Sequence, residues 1–210
     1  FPFRSGYVRL RAIETEDIIR GARRGQRRHN AARRHVENEI WSALAANWRE
    51  ADVNPEDVRA ELSGRYEVRE MFERMWPVLT PAQLLHDLFG SKPLIRSASG
   101  NLLTENEQML LFRPRMGSVD EVAWTAADVA LLDDAREALG PRPNRAGKID
   151  DSDEIRTYGH IVVDEVQDLS PMELKMVSRR SLNGSMTVVG DIAQATGPSA
   201  PADWEDVLEH

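Results

Sequence analysis

Cysteine is absent from this sequence, which excludes disulfide staples and thiolate metal sites and fits a chain that works in a reducing cytoplasm. No apolar run approaches the ~20 residues that a helical membrane span needs. The amino terminus also lacks the basic, apolar, small-residue order of a secretory leader. Histidine is sparse, five in 210 residues; only His29 and His35 lie close together, and no metal-ligand spacing appears among them. Positive charge is outnumbered, with 27 Lys and Arg against 35 Asp and Glu. The resulting net charge of −8 argues against indiscriminate binding of nucleic acid by the whole surface, but leaves room for a local basic patch.

What is present is the composition of a globular protein, 41% hydrophobic and 30% charged. That supplies a sizeable core for one large domain or two small ones. The chain opens on Phe1 without a methionine, and Trp204-Glu-Asp-Val-Leu-Glu-His210 reads as a helix just beginning. Both are expected of a fragment of a longer protein, here a monomeric one.

Residues 1–12 alternate weakly around Tyr7, Val8 and Leu10 and read as a strand. From about Ile13 to Glu50 the pattern is helical, with Ile40, Leu44 and Trp48 recurring every fourth residue beside Trp41. Asn54-Pro-Glu-Asp57 announces a second helix with an N-cap, a first-turn proline and acids at the positive end of the dipole. It is expected to run to about Trp76 through Val58, Leu62, Met71, Phe72 and Met75. Three further helix starts follow, at Thr80-Pro-Ala-Gln83, Thr104-Glu-Asn-Glu107 and Thr125-Ala-Ala-Asp128. In the first two the long side chain can bond back to the cap amide; Asp128 is shorter and is expected to do so less well. Gly90 and Gly140 stand where left-handed C-terminal caps belong. Residues 1–145 are therefore expected to form a mainly helical domain.

Residues 146–158 have no apolar period and read as an acidic linker or loop. The texture then changes. His160–Val163 is a continuous apolar run of the kind found in a buried parallel strand. Ser170-Pro-Met-Glu173 is a capping box opening a helix to about Arg179, and Met186–Val189 is a second strand ended by Gly190-Asp191. Strand, helix, strand in so short a span is one βαβ unit. The fold class expected is α/β, a helical domain followed by part of a parallel sheet over residues 159–210.

The carboxyl ends of parallel strands are where such sheets bind ligands, and both of these end in acids. Asp164 can hold Mg²⁺, through a water, against the β- and γ-phosphates of a nucleotide. Glu165 points elsewhere and can orient and deprotonate an attacking water. Gln194, three residues past Asp191, has an amide able to donate to a γ-phosphate oxygen and accept from that water. A lone Asp-Glu after a strand is commonly a solvated turn. Ile-Val-Val-Asp-Glu-Val-Gln-Asp-Leu-Ser-Pro matched by Val-Val-Gly-Asp-Ile-Ala-Gln is a far more restrictive arrangement.

Val162-Val-Asp-Glu-Val-Gln-Asp168 and Val188-Val-Gly-Asp-Ile-Ala-Gln194 resemble motifs II and III of the UvrD-like superfamily 1 helicases, whose core is RecA-like. The resemblance implies ATP and Mg²⁺ as ligands, Asp164 as the magnesium residue of the Walker B motif and Glu165 as the catalytic base. It also implies that Gln167 and Asp168 couple the nucleotide state to neighbouring motifs, that Asp191 lines the nucleotide site, and that Gln194 reads the γ-phosphate. Trp76-Pro-Val-Leu-Thr-Pro-Ala-Gln-Leu-Leu85, Trp124-Thr-Ala-Ala-Asp-Val-Ala-Leu-Leu132 and Asp168-Leu-Ser-Pro-Met172 are similar to a narrower group, the HelD (HelR) proteins of actinobacteria. Those are helicase-like ATPases that bind RNA polymerase and help release it from nucleic acid. In them a mainly helical insert interrupts the first RecA-like domain ahead of motif II, which residues 1–145 would represent.

The departures from the family are as specific as the matches. Gly-x-x-x-x-Gly-Lys-[Ser/Thr] does not occur in the chain, and without that loop a triphosphate has no amide cradle; the chain alone is expected to be inactive. After Gln194, Ala195-Thr-Gly-Pro198 lacks the base-stacking aromatic of the helicases proper, which implies a motor whose load is not a duplex. A UvrD-type DNA helicase and a non-catalytic polymerase-binding module are the alternatives.

Arg20, Arg23, Arg24, Arg27 and Arg28 fall at helical spacings on one face, with Arg33 and Arg34 beyond. They read either as a contact for phosphates or an acidic partner, or as a solvated face balanced by Glu14, Glu16, Asp17, Glu37 and Glu39. Interior Gly21 and Gly25 each weaken that helix by about 1 kcal/mol relative to alanine. Asp150, Asp151, Asp153 and Glu154 read as a solvated acidic loop, or as a segment that enters the polymerase channel if the resemblance holds. The Trp41/Trp48 and Met71/Met75 pairs read as core.

Overall fold

The structure is a computed structural model that describes residues 1–25, 28–49, 53–143, 155–197 and 201–208. Two compact units are present, Phe1–Thr80 with Glu137–Asp151 and Pro81–Arg136 with Ser152–His210.

The first unit begins with two short antiparallel strands, β1 (Pro2–Phe3) and β2 (Gly6–Tyr7), rather than one strand over residues 1–12. The turn between them includes Arg4 at φ 46°, and it folds the chain back so that Phe3 and Val8 are both buried. Helices α1 (Ala12–Gly25) and α2 (His29–Ala46) replace the single helix expected from Ile13 to Glu50. Between them Arg28 is extended at φ −116°, ψ 126° as the N-cap of α2, which a continuous helix would not allow. Val36, Ile40 and Leu44 recur every fourth residue on α2 and are fully buried, each burial contributing roughly 1.5–3 kcal/mol.

Asn54 caps α3 (Pro55–Leu62) in a reciprocal box with Asp57. The helix then stops, and α4 (Tyr66–Met75) starts afresh. Glycine's low helix propensity supplies the reason for the break at Ser63-Gly64, and Arg69 Nη2 consolidates it by donating to Gly64 O at 2.8 Å. Trp41 meets Phe72 edge-on at 5.1 Å, and Trp48 meets Phe3 at 5.2 Å. Met71 and Met75 pack on the same cluster, so both pairs are core. Arg33 is structural as well: it pairs with Glu37 and Glu73 and donates to the carbonyls of Phe72 and Trp76 at the end of α4.

In the second unit, α5 (Pro81–Phe89), α6 (Lys92–Ser99), α7 (Glu105–Leu111) and α8 (Ala126–Leu139) follow one another, with α8 leaving this unit after Arg136. Leu85, Phe89 and Ala135 make their core. Gly90 is not a left-handed cap; among described glycines only Gly100, Gly140 and Gly184 have positive φ. A Cβ at 90 would stand 3.3 Å from Arg115 Cβ and closer still to His86 O, so close approach requires the glycine. Ser91 then caps α6, with Pro93 in its first turn; that proline opens a helix the sequence pattern does not announce. Gly140, at φ 73°, is the left-handed residue expected.

The remainder of the unit is strand, helix, strand. β3 (Ile161–Val163) and β4 (Met186–Val188) are parallel, paired Ile161 to Met186, Val162 to Thr187 and Val163 to Val188. Between them lies α9 (Pro171–Ser178), opened by the Ser170–Glu173 capping box. Leu174 of α9, Val163, Val166 and Val207 of α10 (Trp204–Leu208) form the core here. The strands are not buried on both faces as expected: Val162 is 66% exposed, because α9 and α10 supply cover for Val163 and none of the described residues covers the other face. The chain is thus mainly helical with one small parallel sheet, and no described helix is long and apolar enough to cross a membrane.

Candidate functional site

The parallel register brings the ends of β3 and β4 side by side. Val189 N donates to Val163 O at 2.8 Å, and Val166 N donates to Val189 O at 3.1 Å. The ladder therefore continues one step past the strands and fixes the two acidic turns against each other.

On the β3 side, Asp164 and Glu165 are exposed, while Val166 and Gln167 turn inward in a 3-10 turn, Val166–Asp168. Asp164 Oδ1 accepts from Glu165 N at 2.9 Å. Glu165 is left-handed, φ 51° and ψ 44°, a conformation that costs a non-glycine residue of order 1 kcal/mol or more and persists only where its surroundings over-determine it. On the β4 side, Asp191 caps the 3-10 turn Ile192–Gln194 by accepting from Ala193 N at 3.0 Å.

One buried side chain joins the two. Gln167, 3% exposed, accepts from Asp191 N through Oε1 at 3.0 Å and donates from Nε2 to Glu165 Oε2 at 2.6 Å. Gln194 Nε2 in turn donates to Asp191 Oδ2 at 2.9 Å. Glu165, Gln167, Asp191 and Gln194 thus form one hydrogen-bonded run across the strand ends. Asp164 lies beside it through the Glu165 amide. Asp168 is exposed and outside the run, with its amide bonded to Glu165 O at 3.0 Å.

Asp164 offers Oδ2 with no hydrogen bond among the described residues. No group of three or more His, Cys, Asp or Glu side chains there could hold a metal. A single outward carboxylate still fits Mg²⁺, which keeps several waters and is shared with substrate phosphates rather than caged by protein.

Sequence reasoning missed Gly190. A Cβ there would overlap Gln167 Oε1 and stand 2.9 Å from Val166 Cγ1, so the glycine admits the Gln167 amide. It also missed His160, whose ring nitrogens lie 2.8 Å from Ser185 Oγ and 3.1 Å from Thr187 Oγ1 on the exposed face of the sheet. Period-two alternation across the paired register was the available signal.

The arginine stripe is not one helical face. Arg20, Arg23 and Arg24 are exposed on α1, with Arg20 3.4 Å from Asp17. Arg28 is the extended N-cap of α2 and pairs with Glu137 at 2.7 Å. Arg27 lies outside the described residues, as do Asp150, Asp151, Asp153 and Glu154 of the acidic loop.

No protein-family model matches the chain, and a search of curated proteins finds no match to it.

Proposed function

We propose that this chain carries the magnesium-and-water half of a superfamily 1 type ATPase site, completed in the intact protein by a phosphate-binding loop from another segment. The hydrogen-bonded run from Glu165 through Gln167 and Asp191 to Gln194, at the carboxyl ends of two parallel strands, carries this reading. It ties a carboxylate fit to act as a base to an amide fit to sense a phosphate, as phosphoanhydride hydrolysis requires.

In this reading Asp164 faces the nucleotide with its outward carboxylate oxygen and holds Mg²⁺ through a water. When bound, the ion would supply positive charge to offset that of the nucleotide phosphates, with Asp164 as the residue that would hold it. Glu165 orients a water toward the γ-phosphorus and takes its proton as the bond to the bridging oxygen breaks. Gln194 exchanges its bond to Asp191 for one to a γ-phosphate oxygen, so ATP and ADP leave that arm differently bonded.

The proposed domain plan is a helical insert over residues 1–145, a linker over 146–158 and part of a RecA-like domain over 159–210. The likeness of residues 76–85 and 124–132 to the HelD group makes RNA polymerase the proposed load, released from nucleic acid by the motor. The missing aromatic in Ala195-Thr-Gly-Pro198 favours that load over UvrD-type unwinding. Strand displacement by the intact protein would instead favour the helicase, and co-purification with polymerase without ATP turnover would favour the binding module.

The test is Glu165→Gln in the intact protein. Steady-state ATP hydrolysis is expected to fall to background while ATP affinity stays near that of the parent; near-normal turnover would falsify the assignment of the base.

A further inference from the structure

Gly190 has no need of glycine's conformational freedom, since its φ is not among the positive values. What it needs is space. A Cβ there would overlap the Gln167 side-chain oxygen, stand 2.9 Å from Val166 Cγ1 and 3.1 Å from Val166 N. Two of those three atoms belong to a buried turn and one to a buried amide, so none of them yields cheaply.

The Gln167 amide is committed at both ends. Asp191 N is a donor only, so the atom 3.0 Å from it is the amide oxygen, which leaves Nε2 facing Glu165 Oε2 at 2.6 Å. Glu165 itself is exposed. Its flexible side chain has this one side-chain partner among the described residues, on a left-handed backbone.

We infer that Gly190 is a positioning residue for Glu165 that acts through Gln167, by leaving the space in which the Gln167 amide bridges the two strand ends. Any side chain at 190 displaces Gln167 Oε1 from the Asp191 amide, and Nε2 then loses its hold on the Glu165 carboxylate. The inference rests on Glu165 being the catalytic base, and extends it to a residue at the end of the neighbouring strand.

The test is a double-mutant cycle in the intact protein with Gly190→Ala and Gln167→Met, the second keeping length while removing both hydrogen bonds. Each single variant is expected to lower kcat at least about tenfold, with KM for ATP within about twofold, because a displaced base slows the chemical step rather than binding. The double variant is expected to lie within about twofold of the worse single, since both changes remove one contact. Multiplying losses, or parental kcat in Gln167→Met, would overturn the inference. If Gly190→Ala alone does not fold, recovery of folding in the double variant supports the contact, and continued failure overturns it.

A second readout separates this inference from the ATPase reading. In nitrogen-15 spectra of the 210-residue chain, the Gln167 side-chain amide is expected to be protected from solvent exchange. Gly190→Ala should remove that protection, and its persistence would refute the contact whatever the protein hydrolyses. Normal turnover by Glu165→Gln, with the protection lost as expected, would defeat the ATPase reading and leave the Gly190–Gln167 contact standing.

Discussion

At the scale of single residues, Asp128 shows how a cap becomes an electrostatic anchor. Its carboxylate is 1% exposed. Thr125 donates to Oδ2 through both its amide and its hydroxyl at 2.8 Å, so the reciprocal bond expected to be weak for so short a side chain is made. Arg113 adds a forked pair at 2.6 and 3.1 Å. The Arg113 guanidinium, with help from Thr125, outweighs the upward push of burial and holds the carboxyl down to about 2, from 3.8. A depressed carboxyl stabilises the fold above its unfolded value, so this contribution is complete above about pH 4–5 and is lost as pH falls toward 2. Arg113 is partly exposed, and screening reduces the effect to about 1 kcal/mol. Urea unfolding at pH 5 and at pH 2.5 should therefore differ by about that much less in Asp128→Asn than in the parent. An unchanged difference would show that Asp128 is not held as described.

Between elements, ion pairs join α8 to α9 and the two arginines that follow it. Arg179 and Arg180 each reach Asp133 at 2.5 Å, and Arg179 and Lys175 reach Asp134 at 2.7 and 2.8 Å. Burial pushes the Asp133 carboxyl up, but Arg180 and Arg179 together hold it below its ordinary value. Removing it leaves two guanidiniums without their shared partner. Asp133→Ala is expected to cost about 3 kcal/mol by denaturant unfolding, and half-exposed Lys175→Ala at most about 0.5 kcal/mol. Equal losses would mean that the buried aspartate does not hold the pair of helices. On α1, Gly21 has nothing within 4 Å of a built Cβ, so Gly21→Ala should stabilise the chain by up to about 1 kcal/mol, read as a raised thermal midpoint.

Elements were legible in the sequence where their signals are local. The cap at Asn54 and the boxes at Thr104 and Ser170 formed because each needs only a side chain and an amide three residues apart. The breaks at Arg28 and at Ser63-Gly64 are not announced by the sequence, since a helix interior can tolerate one glycine and only tertiary packing decides whether it does. Gly90 was misread because a glycine that ends a helix and one that admits a neighbour look alike in sequence. At the site, the sequence pattern places Asp164, Glu165, Asp191 and Gln194 together at the strand ends, where the structure has them. The bond from Gln167 to Asp191 and the space left by Gly190 were not, because both depend on pairing between segments distant in the chain.

At the scale of the whole molecule, each unit keeps its own buried apolar residues, and the chain passes between the units three times, after Thr80, after Arg136 and after Asp151. Within the first unit, Asn30 ties together the segments next to the first two of these: its buried amide bonds Leu79 N and O at 3.0 Å and Gly140 O at 3.1 Å. In the proposed reading, the strand ends of the second unit would supply a base, a magnesium ligand and a sensor, and the phosphate-binding Gly-x-x-x-x-Gly-Lys-[Ser/Thr] pattern does not occur in the sequence. The 210-residue chain alone is accordingly expected to show no ATP turnover, and Glu165-dependent hydrolysis by it would contradict the need for a separate phosphate loop.

The most direct measurement is a single-turnover experiment on the intact protein carrying Glu165→Gln, with labelled ATP at substoichiometric concentration and bound nucleotide and released phosphate counted in the same sample. The account predicts that ATP stays bound and intact for many parental turnover times. Phosphate released at the parental rate would mean that the pair at the end of β3 is not the water-activating half of an ATPase.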